Sequence, residues 1–295
     1  MKYKNFLNQL DQYYIDHNYS DTYRASDIIG HKEKLEIIDA GYKGFLMDLL
    51  AYFSERLEIN SGLRILDIGC GTGEFTVQMN LLGHDAKGID LHMPHLNLAK
   101  TLATENDLLE SIFIFNDTKK LPFADNEFDL ITSFSVFEHL DDEAMGWIIP
   151  EMHRICKGFI YTLVPNPIKP IDDHTGLAFL GYMPRNTAIK YINFRGDKYK
   201  YLVSRTGEWD VYYRFLNQLK SILVDSIFEF GYLPDHLHYP PLESNPPIHS
   251  IGKRFKMFGL SFFIGIPLFA NVMIKVGRDK QYYYPYLNLV TRIKK

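Results

Sequence analysis

Cysteine is nearly absent from this chain: Cys70 and Cys156 are the two among 295 residues. Two thiols so far apart exclude a disulfide framework and a thiolate zinc site, and they point to a reducing, cytoplasmic setting. An excess of positive charge is missing too. The formal net charge is −4, which removes the global electrostatic case for nucleic acid. The first residues, Met1-Lys2-Tyr3-Lys4-Asn5, run into Asn8, Gln9, Asp11 and Gln12 without the apolar core of a secretory signal, so none is predicted. No internal repeat and no low-complexity block appears. Apolar side chains, by contrast, are plentiful: 46% of residues are hydrophobic and 15% aromatic, enough for a sizeable core.

The most informative stretch is Ile65-Leu66-Asp67-Ile68-Gly69-Cys70-Gly71-Thr72-Gly73-Glu74. An apolar run ends in an acid, and three glycines at alternate positions lead into a helical pattern. Such a strand hands its backbone to a tight turn that a ligand can approach closely. Dinucleotide folds place Gly-x-Gly-x-x-Gly at this point. Here the third glycine arrives one residue early and position 74 is Glu, which suits a small nucleoside lacking a pyrophosphate. Asp90 closes the next strand pattern at the offset of about 20 residues where a carboxylate accepts ribose hydroxyls. Asn116-Asp117 follows the third, where a side-chain oxygen can accept a hydrogen bond from an adenine amino group.

The chain organises around this turn. Residues 1–60 read as a helical cap, with Phe6, Leu10, Tyr13 and Tyr14, then Leu35, Ile38, Phe45, Leu49 and Phe53, at helical spacing. Across 61–165 strand and helix patterns alternate. Strands are predicted at Leu63–Ile68, Asp85–Asp90, Ile112–Phe115, Phe128–Ser133 and Phe159–Val164. Helices are predicted at Gly73–Leu82, His95–Asn106 and Glu143–Cys156, the last interrupted near Pro150. This is an α/β, Rossmann-like, doubly wound sheet, mostly parallel, whose last strand is expected to be antiparallel. The region 166–230 reads as a lid or acceptor-recognition insertion after the fifth strand, with a helix over Asp210–Phe230 capped by Gly231. Residues 231–295 complete the sheet with a strand at Asn271–Val276 and a polar tail from Arg278.

With those motifs in order, the segment from about 62 to 165 resembles the class I S-adenosylmethionine-dependent methyltransferases, in particular the group with Asp-x-Gly-x-Gly-x-Gly and a Leu-Pro-Phe loop, here Leu121-Pro122-Phe123. The resemblance implies S-adenosyl-L-methionine as cofactor. It implies that Asp67, Gly69, Cys70, Gly71 and Gly73 carry its methionine and ribose portion, that Asp90 and Leu91 hold the ribose, and that Asn116 and Asp117 hold the adenine. Phe134 and Ser135, after the fourth strand, would close over it. Some relatives carry Glu-x-x-Glu-His at that loop and bind magnesium. This chain has Ser135-Val136-Phe137-Glu138-His139, the first ligand is missing, and no metal is predicted.

Several residues keep two readings. Asp67 either touches the ligand or orients the amides of the turn. His139 is the leading general base for an acceptor hydroxyl, against a His that caps backbone or pairs with Glu138. His174, in Asp172-Asp173-His174-Thr175-Gly176, either faces the transferred methyl or belongs to an ordinary turn. In-line positioning of the acceptor can also supply most of the rate with no base. Tyr191–Tyr201 either stacks on an acceptor or forms a solvated surface. Met257–Ile274 is uncharged and follows Lys253-Arg254-Phe255-Lys256, so 253–274 is either a buried helix with a core strand or a peripheral membrane contact. The expected function is O-methylation of a glycan, a lipid-linked sugar or another specialised small molecule in the cytoplasm or peripherally at the membrane. No nucleic-acid partner is expected, and the oligomeric state is left open. The alternatives are methylation of RNA or protein and a non-catalytic cofactor-binding partner subunit.

Overall fold

The computed structural model describes residues 1–17, 19, 21–40, 42–168, 172, 174–175, 177–194, 209–223, 228–234, 237 and 286–293. Helices α1 (Lys4–Asp16), α2 (Asp21–Ala40) and α3 (Tyr42–Leu57) precede strand β1 (Arg64–Ile68). Then follow α4 (Glu74–Leu81), β2 (Asp85–Asp90), α5 (Met93–Glu105), β3 (Phe113–Phe115), β4 (Phe128–Phe134), α6 (Asp142–Ile155) and β5 (Cys156–Pro165). The order ends with α7 (Arg185–Phe194), α8 (Leu216–Leu223), β6 (Phe228–Tyr232) and β7 (Tyr286–Ile293). The strands form one seven-stranded sheet in the order β3-β2-β1-β4-β5-β7-β6. β1 runs parallel to β2 and β4, β2 parallel to β3, and β6 antiparallel to β7. The order reverses between β1 and β4, the switch point at which sheets of this kind bind ligands beyond their carboxyl ends. The Rossmann-like α/β fold expected from the alternation is the one observed.

The chain divides into two compact units, one of Met1–Phe134 with Pro150–Tyr161 and one of Ser135–Ile149 with Thr162–Lys295. In the first, Ile65, Leu66 and Ile68 of β1 and Leu130 and Ile131 of β4 are buried, as near-continuous apolar runs in a parallel sheet require. Helix α1 buries Phe6, Leu10 and Tyr14 at four-residue spacing in a cluster with Val77, Leu96, Leu102 and Phe113. Each large side chain so buried contributes about 1.5–3 kcal/mol. This helix has no capping side chain of its own and no acid in its first turn. Glu105, at the end of α5, supplies both by accepting from the N–H groups of Asn5 and Phe6 at 2.7 and 2.9 Å. The Leu121-Pro122-Phe123 loop is fixed from α6. Arg154 donates to the carbonyls of Leu121 and Phe123, and Glu151 accepts from the Leu121 N–H. In the second unit, Leu177, Leu180, Ala188, Ile192, Trp209 and Val211 form a separate apolar cluster.

Three expectations are corrected. Helix α6 runs through Pro150 without a break. The helix expected over Asp210–Phe230 is confined to Leu216–Leu223, and Gly231 is no cap: it lies in β6 opposite Val290 of β7. Phe228, Phe230 and Tyr232 alternate, a period of two that fits a strand. The tail from Arg278 is not simply polar, because Leu287, Leu289 and Val290 of β7 are buried. Asn271–Val276, the segment 253–274 and most of Tyr191–Tyr201 lie outside the described residues. Among the described residues no helix is long and apolar enough to cross a membrane.

Candidate functional site

At the end of β1 the chain turns with Gly69, Gly71 and Gly73 all at positive φ. Gly73 is required twice over. Its φ of +82° favours glycine, and a Cβ there would stand 2.5 Å from the Phe113 ring and 2.7 Å from Ala99. Gly71, at φ +53°, meets nothing among the described residues within 4 Å on the side a Cβ would occupy.

Asp90 organises this turn from the end of β2. One carboxylate oxygen accepts from Gly71 N–H at 2.9 Å and the other from His92 N–H at 2.8 Å. An ionised carboxylate has about four acceptor positions, so capacity for hydroxyl donors remains. Leu91, beside it, is exposed. The Asn116 N–H donates to the Asp90 carbonyl at 3.1 Å, which ties the end of β3 to the same edge. The Asn116 side chain is engaged within its own loop, exchanging hydrogen bonds with Thr118. Of the predicted adenine pair, Asp117 is the exposed acid. The two oxygens of Asp67 accept from the Thr76 and Thr132 hydroxyls at 3.0 and 3.1 Å, so it pins α4 and β4 to β1. Burial, with Asp67 and Asp90 nearby, pushes the Cys70 thiol well above its ordinary pKa, and the thiol stays neutral. Phe134 packs edge-on between Phe75 and Tyr161.

Two histidines and a glutamate here escaped sequence reasoning. Glu74, 2% exposed, pairs with His31 Nδ1 at 2.7 Å and accepts from the Thr72 hydroxyl at 2.7 Å. His31 Nε2 stands 3.3 Å from Asp27, which also accepts from Tyr14. Burial would raise the Asp27 carboxyl, but its bonds with His31 and Tyr14 outweigh that and hold it below its ordinary pKa. This relay runs from the helices α1 and α2 into the glycine turn. His95, on α5, is lowered to about 4 by burial first and by His92 next, so its imidazole is neutral at physiological pH.

The second unit carries the other predicted residues. Ser135 follows β4 at φ +54°, uncommon for a residue with a side chain and of the kind that clusters at functional turns. A single 3₁₀ turn, Phe137–His139, presents Glu138 and His139. Arg214, buried, donates to the Phe137 carbonyl and to Asp142, and Tyr212 N–H donates to the Glu138 carbonyl at 2.6 Å. These bonds fix the turn's backbone. His139 and His174, both singled out from sequence, come together with ring centroids 5.3 Å apart and edge-on. Glu138 Oε1 lies 4.0 Å from His174 Nε2. His139 Nδ1 is 3.4 Å from Asp210, and His174 Nδ1 is 3.5 Å from Asp172. Asp172 also accepts from Tyr213 and twice from Thr175. Burial would raise its carboxyl, but the bonds from His174, Tyr213 and Thr175 prevail and keep it low. Glu138 is the opposite case. It is 2% exposed, and neither carboxylate oxygen has a hydrogen-bond partner among the described residues. Burial raises its pKa, and the nearby His139 and His174 offset that only in part.

Residues 65–158 match a family described as a methyltransferase domain. A demethylmenaquinone methyltransferase of Lactiplantibacillus plantarum is 29% identical over 107 residues, 35% of this chain and 44% of that protein. An uncharacterized methyltransferase of Synechocystis is 30% identical over 142 residues, covering 47% of this chain and 65% of its own length. An O-methyltransferase of Aspergillus nomiae is 37% identical over 91 residues, 30% of this chain and 40% of that protein. The chain thus spans about half the length of the curated relatives it matches.

Proposed function

We propose that this protein transfers a methyl group from S-adenosylmethionine to an oxygen atom of a small-molecule acceptor such as a glycan or a lipid-linked sugar. The observation that carries the reading is the glycine turn held by Asp90, inside the segment that matches a methyltransferase domain. The residues fit the cofactor: Gly71 leaves room, Asp90 keeps acceptor capacity for two ribose hydroxyls, Leu91 offers an exposed apolar face and Asp117 an exposed acid. S-adenosylmethionine, when bound, supplies an electrophilic methyl carbon on a sulfonium. Asp67 and the Glu74–His31 relay do not need to touch a ligand; they hold the turn in shape. The acceptor hydroxyl is assigned to the Glu138–His139–His174 group, which polarises its O–H bond. An oxygen acceptor is preferred because this group offers imidazole and carboxylate, while both thiols are kept neutral by burial, Cys156 at a pKa of about 12.

The test is Asp90→Ala, followed by calorimetric titration with S-adenosylhomocysteine. Removing the carboxylate frees the turn and deletes the ribose acceptors, so affinity should fall at least about 100-fold, equivalent to roughly 2.7 kcal/mol, with the far-ultraviolet circular dichroism unchanged. Unchanged affinity removes the ribose assignment. Tritiated methyl transfer into fractionated cell extract, with the same variant as control, would then identify the acceptor class.

A further inference from the structure

Helix α2 is tied to the glycine turn through His31. Its Nδ1 stands 2.7 Å from Glu74 Oε1 and its Nε2 3.3 Å from Asp27 Oδ2, so both ring nitrogens face a carboxylate. A neutral imidazole has a proton on one nitrogen only, and an imidazolium has one on each. Bonds to both acids at once therefore require the charged ring. The surroundings suit a cation. Burial and, less strongly, Glu74 would raise Asp27, yet His31 and Tyr14 hold it low and ionised. From α1, Tyr14 donates to Asp27, and Phe6 meets the imidazole edge-on at 6.0 Å. Tyr19 is raised by burial first and Asp27 next, so its phenol stays neutral. From α5, His95 is lowered to about 4 by burial first, with His31 a minor contributor, and adds no competing charge. On the far side of the pair, the second oxygen of Glu74 accepts from the Thr72 hydroxyl at 2.7 Å. Thr72 lies between Gly71 and Gly73, both at positive φ. Asp27, His31, Glu74 and Thr72 are thus joined end to end within one compact unit.

We propose that His31, as an imidazolium, is a positioning residue for the methyl donor. Through Glu74 and Thr72 it sets the fraction of molecules whose glycine turn is in binding-competent shape. Donor affinity then depends on pH, and the two bonds of the ring fix the sign. At low pH the imidazolium engages both acids. As pH rises and the proton leaves, one nitrogen turns a lone pair toward a carboxylate, that bond is lost, and α2 loosens from the turn. A ligand that needs the ordered turn binds more weakly in proportion to the fraction ordered. Losing one hydrogen bond to a charged group corresponds to roughly ten-fold or more in an equilibrium constant. Asp90 still holds Gly71, so binding weakens and is not abolished. The link to the donor rests on the function proposed above; the coupling of His31 to the turn does not.

The test is calorimetric titration of the full chain with S-adenosylhomocysteine at about pH 6 and about pH 9, either side of the ordinary imidazole value. Wild-type affinity should fall about 10-fold from the lower pH to the higher. His31→Gln, which carries no charge, should bind about 10-fold more weakly than wild type at the lower pH and equally at both. Asp27→Asn is the sharper variant. Its amide can donate to a neutral Nε2 while Nδ1–H donates to Glu74, which completes the bonds without a charge. It should bind at the higher pH as tightly as wild type does at the lower, a rescue that general loss of stability cannot produce. It also serves alone if His31→Gln does not fold. A wild type without pH dependence, or a pH dependence that persists in either variant, overturns the proposal, as does weak binding of Asp27→Asn at the higher pH. If wild type binds no S-adenosylhomocysteine at either pH, the donor assignment fails. Hydrogen-exchange protection of amides 69–73 without ligand then decides the coupling. Protection that falls with pH in wild type but not in Asp27→Asn upholds it, and equal behaviour overturns it.

Discussion

Glu74 and Glu138 are equally buried, each 2% exposed, and they are treated in opposite ways. Glu74, in the first unit, is met by His31 and Thr72. Its neighbours Asp67 and Asp90 are likewise engaged, by two threonine hydroxyls and two backbone N–H groups. Glu138, in the second unit, has neither oxygen hydrogen-bonded among the described residues. Burial alone therefore does not say how an acid is held. What separates the two is whether the described residues complete the hydrogen bonds. The first unit's acids hold the glycine turn and its strands, and Glu138 has no such bonds among the described residues.

Breaking the completed side should cost most. Glu74→Gln removes the charge from two short hydrogen bonds, to His31 and to Thr72, and hydrogen bonds to charged groups contribute about 1.5–3 kcal/mol each. The variant should lose about 3 kcal/mol in urea unfolding. His31→Gln, which deletes the other end of the pair, should add little when combined with it, because the two changes remove one interaction. A full additive loss would mean that His31 and Glu74 stabilise the protein separately and that no relay connects the N-terminal helices to the turn.

The two regions also differ in how they treat histidine. His139 and His174 face carboxylates, whereas His95 is lowered to about 4 by burial and by His92. The sign follows from proton uptake. Between the unfolded value near 6.5 and about 4, the unfolded chain binds a proton that the native protein refuses, so stability falls as pH drops through that window. From pH 7 to pH 5 the loss through His95 should be about 2 kcal/mol. His95→Leu should abolish that part of the pH dependence in urea melts at the two pH values. An identical slope in the variant would show that another group sets it.

Much of the first unit was legible because its signals are local. Apolar runs end in glycine or acid, and the β2 boundaries Asp85–Asp90 follow from the run alone. The Gly71–Asp90 hydrogen bond joins two motifs that spacing had already paired. The relay from Tyr14 through Asp27 and His31 to Glu74 was not legible, since it joins polar positions on separate helices that no periodicity connects. Phe228–Tyr232 was misread for a related reason. Its alternation is short, and the partner that makes it a strand, β7, lies far along the chain in a stretch taken for a tail. His139 and His174 could each be picked out as chemistry-bearing. Their meeting around Glu138, with Asp210 and Asp172 behind them, depends on the path of the chain after β5, which no local pattern encodes.

The smallest expected effect is the sharpest test of the contrast, because its sign is unusual. Glu138→Gln replaces a buried carboxylate, without a hydrogen-bond partner among the described residues, by an amide of the same shape. Desolvating the amide costs less than desolvating the charge, so the variant should be more stable than wild type by about 1 kcal/mol near neutral pH. The same substitution at Glu74 should destabilise. Most core substitutions destabilise as well, which makes a gain at a buried position difficult to attribute to anything but a charge left without its partner. If Glu138→Gln loses stability, the carboxylate already has its partner within the protein, and the distinction between the two acids collapses.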